Sequence, residues 1–184
     1  MATTTTLYTA DDLWRMPGDE PWELWNGELR KEPSAGGTAS VLAQWIGALL
    51  VMWVRPRRLG AVTGADGSYI LTRDPDTVVV PDVAFVRWER LPGRRIPDGY
   101  IPVPPDLAVE VISPPDRPGE ISRKQAIYRR AEVPLVWWVD PRKRTVAVQR
   151  AGQAVEELGE AAELDGGEVL PGFRVAVAEI FSEA

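Results

Sequence analysis

The pattern of hydrophobic and polar residues divides the first part of the chain into three elements. Thr9–Met16 is predicted to form a short helix, because Thr9 can cap it and acidic residues occupy its first turn. Trp22–Arg30 is predicted to form a β-hairpin, because Asn26-Gly27 suits a two-residue turn that requires positive φ. A longer helix is predicted from Thr38 to about Val54. Its expected core-facing stripe consists of Val41, Leu42, Trp45, Leu49 and Met52.

The rest of the chain is dominated by runs that are typical of β-strands. These runs are residues 60–72, which Asp66-Gly67 interrupts, and 77–86, 106–113, 134–140 and 145–149. A helix is predicted over 120–131, an exposed loop over 90–105, and a strand with a short helix over 168–181. This order predicts an α/β (α+β) fold with a central mixed sheet flanked by helices. Because no linker or repeat interrupts it, residues 1–184 are interpreted as one domain.

Composition narrows the chemistry that this fold can carry. The chain has no cysteine and no histidine, which excludes Ser-His and Cys-His catalysis as well as zinc sites built on thiolate or imidazole. A metal bound by oxygen atoms alone would be a hard cation such as magnesium, manganese or calcium. The N-terminus lacks the features of a signal peptide, and no apolar run reaches the ~20 residues that span a bilayer. We therefore expect a cytoplasmic protein without a membrane segment.

The negative charge of the chain is concentrated near its C-terminus. The net charge is -6, but residues 151–184 alone carry -7 and the preceding 150 residues carry +1. The acidic C-terminal segment is interpreted as a solvated surface. The remainder of the chain can still present a basic face to a polyanion.

Two of the predicted strands each contain one acidic residue in an apolar setting. Asp82 lies in the run Val78–Val86, and Glu110 lies in the run Leu107–Ile112. The residues that share a strand face with either acid are apolar, so neither acid belongs to a polar stripe. Burying an uncompensated carboxylate costs several kcal/mol. Each acid must therefore face solvent, pair with a base or bind a cation.

Lys124 follows on the helix predicted after the Glu110 strand. Tyr128 lies one turn later on the same helical face, and Glu120 lies one turn earlier. Taken alone, Lys124 is as well explained by a surface pair with Glu120, worth a few tenths of a kcal/mol.

Several motifs in sequence order resemble the Uma2-like family of putative restriction endonucleases, which have the PD-(D/E)XK nuclease fold. They are Pro81-Asp82, the segment Pro105–Pro114, Glu120-x-x-x-Lys124-x-x-x-Tyr128, and Pro134-x-x-Trp-Trp-Val-Asp-Pro. The hairpin sequence Trp22–Leu29 is similar to the opening of that family as well. The resemblance implies an endonuclease that hydrolyses phosphodiester bonds in nucleic acid, with DNA as the expected partner.

The resemblance also implies roles for individual residues. Asp82 and Glu110, with the backbone carbonyl of Val111, would bind Mg²⁺ or Mn²⁺, and Lys124 would be the catalytic lysine. The accessory candidates are Glu23, Glu28 and Tyr128. For Glu23 and Glu28 the alternative is a pair of exposed hairpin acids beside Arg30 and Lys31.

The chain departs from the expected pattern at two positions. Ile112 stands where the wider superfamily has its lysine, and Thr38 stands where members of the family often have a histidine. Both departures keep open the alternative of a catalytically inactive nuclease-fold module for binding or assembly. A further alternative is a sugar hydrolase that uses Asp82 and Glu110 as acid and base without a metal. Trp137 and Trp138 beside an apolar strand are also compatible with a homodimer.

Overall fold

Sheets and helices are arranged as a mixed α+β fold in the computed structural model, which describes residues 6–17, 22–32 and 35–182. The α-helices within these ranges are α1 Ala10–Arg15, α2 Gly37–Arg57, α3 Pro118–Arg130 and α4 Val177–Ile180, and two short 3-10 helices span Trp88–Arg90 and Pro92–Arg94. The strands are β1 Trp22–Trp25, β2 Glu28–Lys31, β3 Gly60–Gly64, β4 Tyr69–Thr72, β5 Thr77–Val79, β6 Val83–Arg87, β7 Leu107–Val111, β8 Leu135–Asp140, β9 Thr145–Arg150, β10 Glu156–Leu158, β11 Glu163–Asp165 and β12 Arg174–Ala176. The predicted fold class, a mixed central sheet with flanking helices, is confirmed.

The central sheet has the strand order β10-β9-β8-β7-β6-β3. Its β7 and β8 are parallel and are joined through α3, while the other neighbouring strands pair antiparallel. A parallel pair needs such a crossover connection, and here the crossover brings α3 onto one face of the sheet. The helix α2 and the C-terminal elements cover the opposite face. Because β7 and β8 are covered on both sides, their sequences are almost continuously apolar.

A smaller antiparallel sheet with the order β2-β1-β5-β4 contains the N-terminal hairpin. Asn26 and Gly27 have φ values of 54° and 82°, as the predicted turn requires, and Leu24 pairs with Leu29. The predicted hairpin is therefore confirmed. Leu24 is buried with α1 on one side of this sheet, and the neighbouring Glu23 is buried towards α3.

The run 77–86 is two strands in two different sheets, which corrects the prediction of one strand. Its first part, β5, belongs to the small sheet, and its second part, β6, belongs to the central sheet. Between them lies Pro81, which has no N–H group to donate to a strand ladder. Asp82 consequently lies just before β6 and not within a strand.

The acidic segment contains more regular structure than its sequence predicts. The strands β10 and β11 are only three residues long and rich in glutamate, so they lack the apolar alternation by which strands are recognised. From β11 onwards, a series of apolar residues is buried in the core with α2 and the central sheet; these residues are Leu164, Val169, Leu170, Phe173, Val175, Val177, Ile180 and Phe181.

The core-facing stripe of α2 differs from the predicted one. Its buried residues are Ala39, Leu42, Ile46, Leu50 and Val54. Of the predicted stripe only Leu42 is fully buried, and Val41 and Met52 are exposed. The cause is the apolar character of the whole helix, because periodicity cannot select a face when most positions are apolar.

By length and composition α2 could also cross a membrane, with a mean hydropathy of 1.6 over its most apolar window. Core helices meet the same criterion. In this structure the regular spacing of the buried residues places one face of α2 against the central sheet.

The buried face predicted from the sequence, which includes Met52, and the face that the structure buries, which includes Leu50, imply opposite results for two substitutions. Leu50→Ala should lower the free energy of unfolding by about 2–5 kcal/mol, because the fully buried side chain leaves a cavity. Met52→Ala, at a side chain that is 58% exposed, should change it by less than about 0.5 kcal/mol. Urea denaturation of both variants measures this difference, and a larger loss for Met52→Ala would show that the helix face is wrongly assigned.

Candidate functional site

The acids Asp82 and Glu110 lie next to each other where β6 begins and β7 ends. Glu110 is buried on the face of β7 that also carries Ala108, and Asp82 is partly buried just before β6. The backbone N–H of Val111 donates a hydrogen bond of 2.7 Å to Oδ2 of Asp82. Both carboxylates line a single pocket between the hairpin and α3. The structure thus brings together the two acids that the sequence singled out.

The ammonium group of Lys124 contacts three carboxylates, two from the N-terminal hairpin and one from β7. Its Nζ lies 2.9 Å from Oε1 of Glu23, 3.0 Å from Oε1 of Glu110 and 3.1 Å from Oε1 of Glu32. Lys124 is buried, and the structure records no pair with Glu120 within the described part of the chain. Lys124 is therefore a member of the acidic pocket and not half of a surface ion pair.

Tyr128, one turn after Lys124, binds the same acid. Its hydroxyl donates to Oε1 of Glu110 at 2.5 Å. Its ring packs edge-on against Trp138, with 5.9 Å between the ring centroids. The helix α3 therefore presents two hydrogen-bond donors to Glu110, one charged and one neutral, and both are held by packing against the sheet.

The two hairpin acids predicted as accessory residues lie in different environments. Glu23 has no exposed surface, and its carboxylate accepts hydrogen bonds from Val80 N at 2.8 Å and from Trp25 Nε1 at 2.6 Å. Glu28 pairs with Arg30 at 2.8 Å, its side chain is 45% exposed, and it does not line the pocket. Only Glu23 is brought together with Lys124.

Two further acids at the pocket were missed by sequence reasoning. Glu32 reaches Lys124 from the end of the hairpin, and nothing in its local sequence marks it. Asp116 accepts hydrogen bonds from Ser113 N at 2.7 Å and Ser113 Oγ at 3.1 Å in the turn before α3. The sequence Ser113-Pro-Pro-Asp116 is typical of such a turn, so the position of Asp116 in a turn could have been predicted, but its place at the pocket could not.

Burial and the crowding of acids shift the pKa values in this pocket. Burial, reinforced by the charges of Asp82 and Glu23, raises the pKa of Glu110 to about 8, against the opposing effect of Lys124. Burial likewise raises the pKa of Glu32 to about 7 and raises that of Asp82.

The pKa of Lys124 is raised as well. Burial disfavours the charged form of Lys124, but the carboxylates of Glu110 and Glu23 outweigh this effect and raise the pKa of Lys124 well above its usual value. Lys124 is therefore a cation that donates hydrogen bonds and not a base.

This arrangement favours the addition of positive charge. Asp82, Glu110, Glu32 and Asp116 line the pocket together with the buried cation Lys124, and raised carboxylate pKa values mean that protons or other cations are bound favourably there. Among the described residues, no three acidic side chains are arranged to hold a metal ion. A metal here would therefore depend on two carboxylates, Asp82 and Glu110, and on backbone or water oxygens for its other ligands.

Comparison with known proteins agrees with the resemblance drawn from the motifs. A family model named Uma2 and described as "Putative restriction endonuclease" matches residues 10–178. Among curated proteins no match was found. Among solved structures, the chain is similar to a protein described as a putative nuclease belonging to DUF820 from Anabaena variabilis ATCC 29413. The TM-score is 0.81 at 21% identity, over 95% of this chain and 97% of that one, which shows a shared fold.

The raised pKa values predict how stability depends on pH. In the unfolded chain Glu110 loses its proton near the ordinary value of 4.5, whereas in the folded protein it keeps the proton up to about pH 8. The folded state therefore binds more protons between these values, so the free energy of unfolding should fall as pH rises from about 5 to about 8. Glu110→Gln should flatten this dependence, as measured by urea denaturation at several pH values. The exposed Glu157→Gln is the control and should keep the wild-type slope; equal slopes for wild type and Glu110→Gln would contradict the assignment.

Proposed function

The chain belongs to the Uma2 family of putative restriction endonucleases, and from this premise we propose that it is a divalent-cation-dependent nuclease that hydrolyses phosphodiester bonds in DNA. The observation that carries the proposal is the convergence of Asp82, Glu110 and Lys124 on one pocket. A homodimer and a cytoplasmic location stay predictions from the sequence.

The donor atoms at the pocket fit a hard cation. Asp82 and Glu110 offer carboxylate oxygens and Val111 offers a backbone carbonyl, whereas the chain contains no thiolate or imidazole ligand. Magnesium binds oxygen ligands, commonly with one or two carboxylates and several waters, and manganese accepts the same set. A bound ion would neutralise charge on the phosphate and lower the pKa of a water molecule beside it.

The residues of α3 support this chemistry in two ways. Because Lys124 stays protonated, its ammonium can donate to a phosphoryl oxygen and stabilise negative charge that develops during hydrolysis. The Tyr128 hydroxyl holds Glu110 in one orientation by donating to Oε1. Glu23 also orients Lys124, because its own position is fixed by Val80 and Trp25.

One observation favours a second candidate, a nuclease-fold module that binds nucleic acid without cutting it. The Lys124 ammonium already contacts three carboxylates, and Ile112 lines the pocket where the wider superfamily has its lysine. Binding of DNA without any cleavage by the wild-type protein would establish this candidate in place of the nuclease.

Removal of both acids should abolish the proposed activity. The variant Asp82→Ala with Glu110→Ala should lose Mg²⁺-dependent cleavage of a labelled plasmid or oligonucleotide, by at least about 100-fold, because both of the proposed carboxylate ligands are removed. The same variant should lose the heat of Mn²⁺ binding in calorimetric titration. Glu157→Gln, on the exposed strand β10, is the control and should keep both properties. Unchanged cleavage by the folded double variant would refute the proposed site.

The pH dependence of cleavage should follow the state of Glu110. Since a carboxylate binds the cation in its deprotonated form, cleavage at limiting Mg²⁺ should increase with pH up to about 8, where burial places the pKa of Glu110. Higher Mg²⁺ concentration should shift this profile to lower pH, because the cation competes with the proton. Initial rates between about pH 6 and 9 at two Mg²⁺ concentrations test the prediction, and a profile without either effect would count against Glu110 as a ligand.

A further inference from the structure

The three N–H groups of the Lys124 ammonium are matched by three carboxylates. These are Glu23 in β1, Glu110 in β7 and Glu32 after β2, all within 3.1 Å of Nζ. A lysine ammonium has three donors and no acceptor. For Lys124 to bind a phosphate oxygen, one of these three contacts must therefore give way.

The contacts differ in how firmly the carboxylate is held. Glu23 has no exposed surface and accepts two further hydrogen bonds, from Val80 N and Trp25 Nε1. Glu110 lies in the middle of the central sheet and accepts a further hydrogen bond from Tyr128. Both are fixed by partners other than Lys124.

Glu32 is held more loosely than the other two. Its side chain is 29% exposed, against 0% for Glu23 and 11% for Glu110. It lies beyond the last residue of β2, and Lys124 is its one recorded cationic partner within the described part of the chain. Of the three carboxylates, Glu32 is thus the one that can leave Lys124 at the lowest cost, and it lies on the side that is open to solvent.

We infer that Glu32 occupies the place on Lys124 that a phosphate oxygen of nucleic acid takes, and that it moves away when the substrate binds. The inference rests on the proposed function, which supplies the phosphate. The carboxylate and the phosphate are both anions, so they cannot share one ammonium without repulsion. Glu32 is then an internal competitor of the substrate: it satisfies the buried lysine in the free protein and weakens nucleic-acid binding.

Charges beside Glu32 fit this exchange. Arg30 and Lys31 lie on the same strand immediately before it, and both line the pocket. An entering phosphate would meet these cations and Lys124 along one wall of the pocket. Departure of Glu32 removes one negative charge from that wall and so lowers the repulsion that an entering phosphate meets.

Affinity for nucleic acid in the absence of metal tests the inference. Fluorescence anisotropy with labelled single- and double-stranded oligonucleotides in EDTA measures binding without cleavage, and it is carried out above pH 7, where Glu32 is ionised. Glu32→Gln removes the competing charge and should tighten binding by about 3- to 30-fold. The control Glu28→Gln removes the same charge from the same strand, but its carboxylate pairs with Arg30 and does not contact Lys124. It should therefore show only the effects of the lost charge and of the released, partly exposed Arg30, both of which decrease with added salt.

The possible results separate the inference from the proposed function. Tighter binding by Glu32→Gln than by Glu28→Gln at high salt supports the inference, and Glu32→Ala should behave in the same way. Equal affinities of the two variants, weaker binding by Glu32→Gln, or no binding by any variant overturns it. Cleavage with Mg²⁺ is measured separately. If the wild type cleaves but Glu32→Gln binds with unchanged affinity, only the inference about Glu32 is refuted. If Glu32→Gln binds more tightly but no protein cleaves, the proposed nuclease activity is refuted and the inference about Glu32 stands. Thermal melting confirms that each variant is folded.

Discussion

A single buried ammonium group joins the parts of this protein that form the pocket. Lys124 connects the hairpin, the central strand β7 and helix α3, since Glu23, Glu110 and Glu32 come from different elements. Carboxylates buried together repel each other and lose hydration, and a cation between them offsets both effects. Loss of the cation from such a buried cluster typically costs about 3–5 kcal/mol, because the carboxylates that remain are uncompensated. The small sheet is thereby tied electrostatically to the large one.

The topology explains why residues far apart in sequence meet at this lysine. The parallel pair β7–β8 requires a crossover, and α3 provides it on the face of the sheet that carries Glu110. The same helix places Lys124 and Tyr128 over that acid, one turn apart. Family membership indicates a nuclease, and the solved structure shares the fold. The pocket holds acids whose pKa values are raised beside a permanently charged lysine.

The sequence predicted the features that depend on local chemistry. The Asn26-Gly27 hairpin follows from its turn residues, and Asp82 and Glu110 were conspicuous as lone acids among apolar neighbours. It did not predict features that depend on long-range packing. The predicted buried face of α2 was wrong because the helix is apolar on most sides. The prediction of a single strand over 77–86 was wrong because the alternation of side chains continues where the chain passes from one sheet to the other. Glu32 could not be found, since its importance comes entirely from a lysine 92 residues away.

The passage of the chain from the small sheet to the central sheet has a consequence for how this protein can vary. Within three residues, Val80 anchors Glu23 through its backbone N–H, Pro81 separates the two sheets, and Asp82 accepts from Val111. The segment therefore works as a spacer of fixed length between the lysine anchor and the acid pair. Insertions and deletions should accumulate in surface loops such as the one before Ile101, while the distance from Val80 to Asp82 stays constant among relatives that retain the pocket.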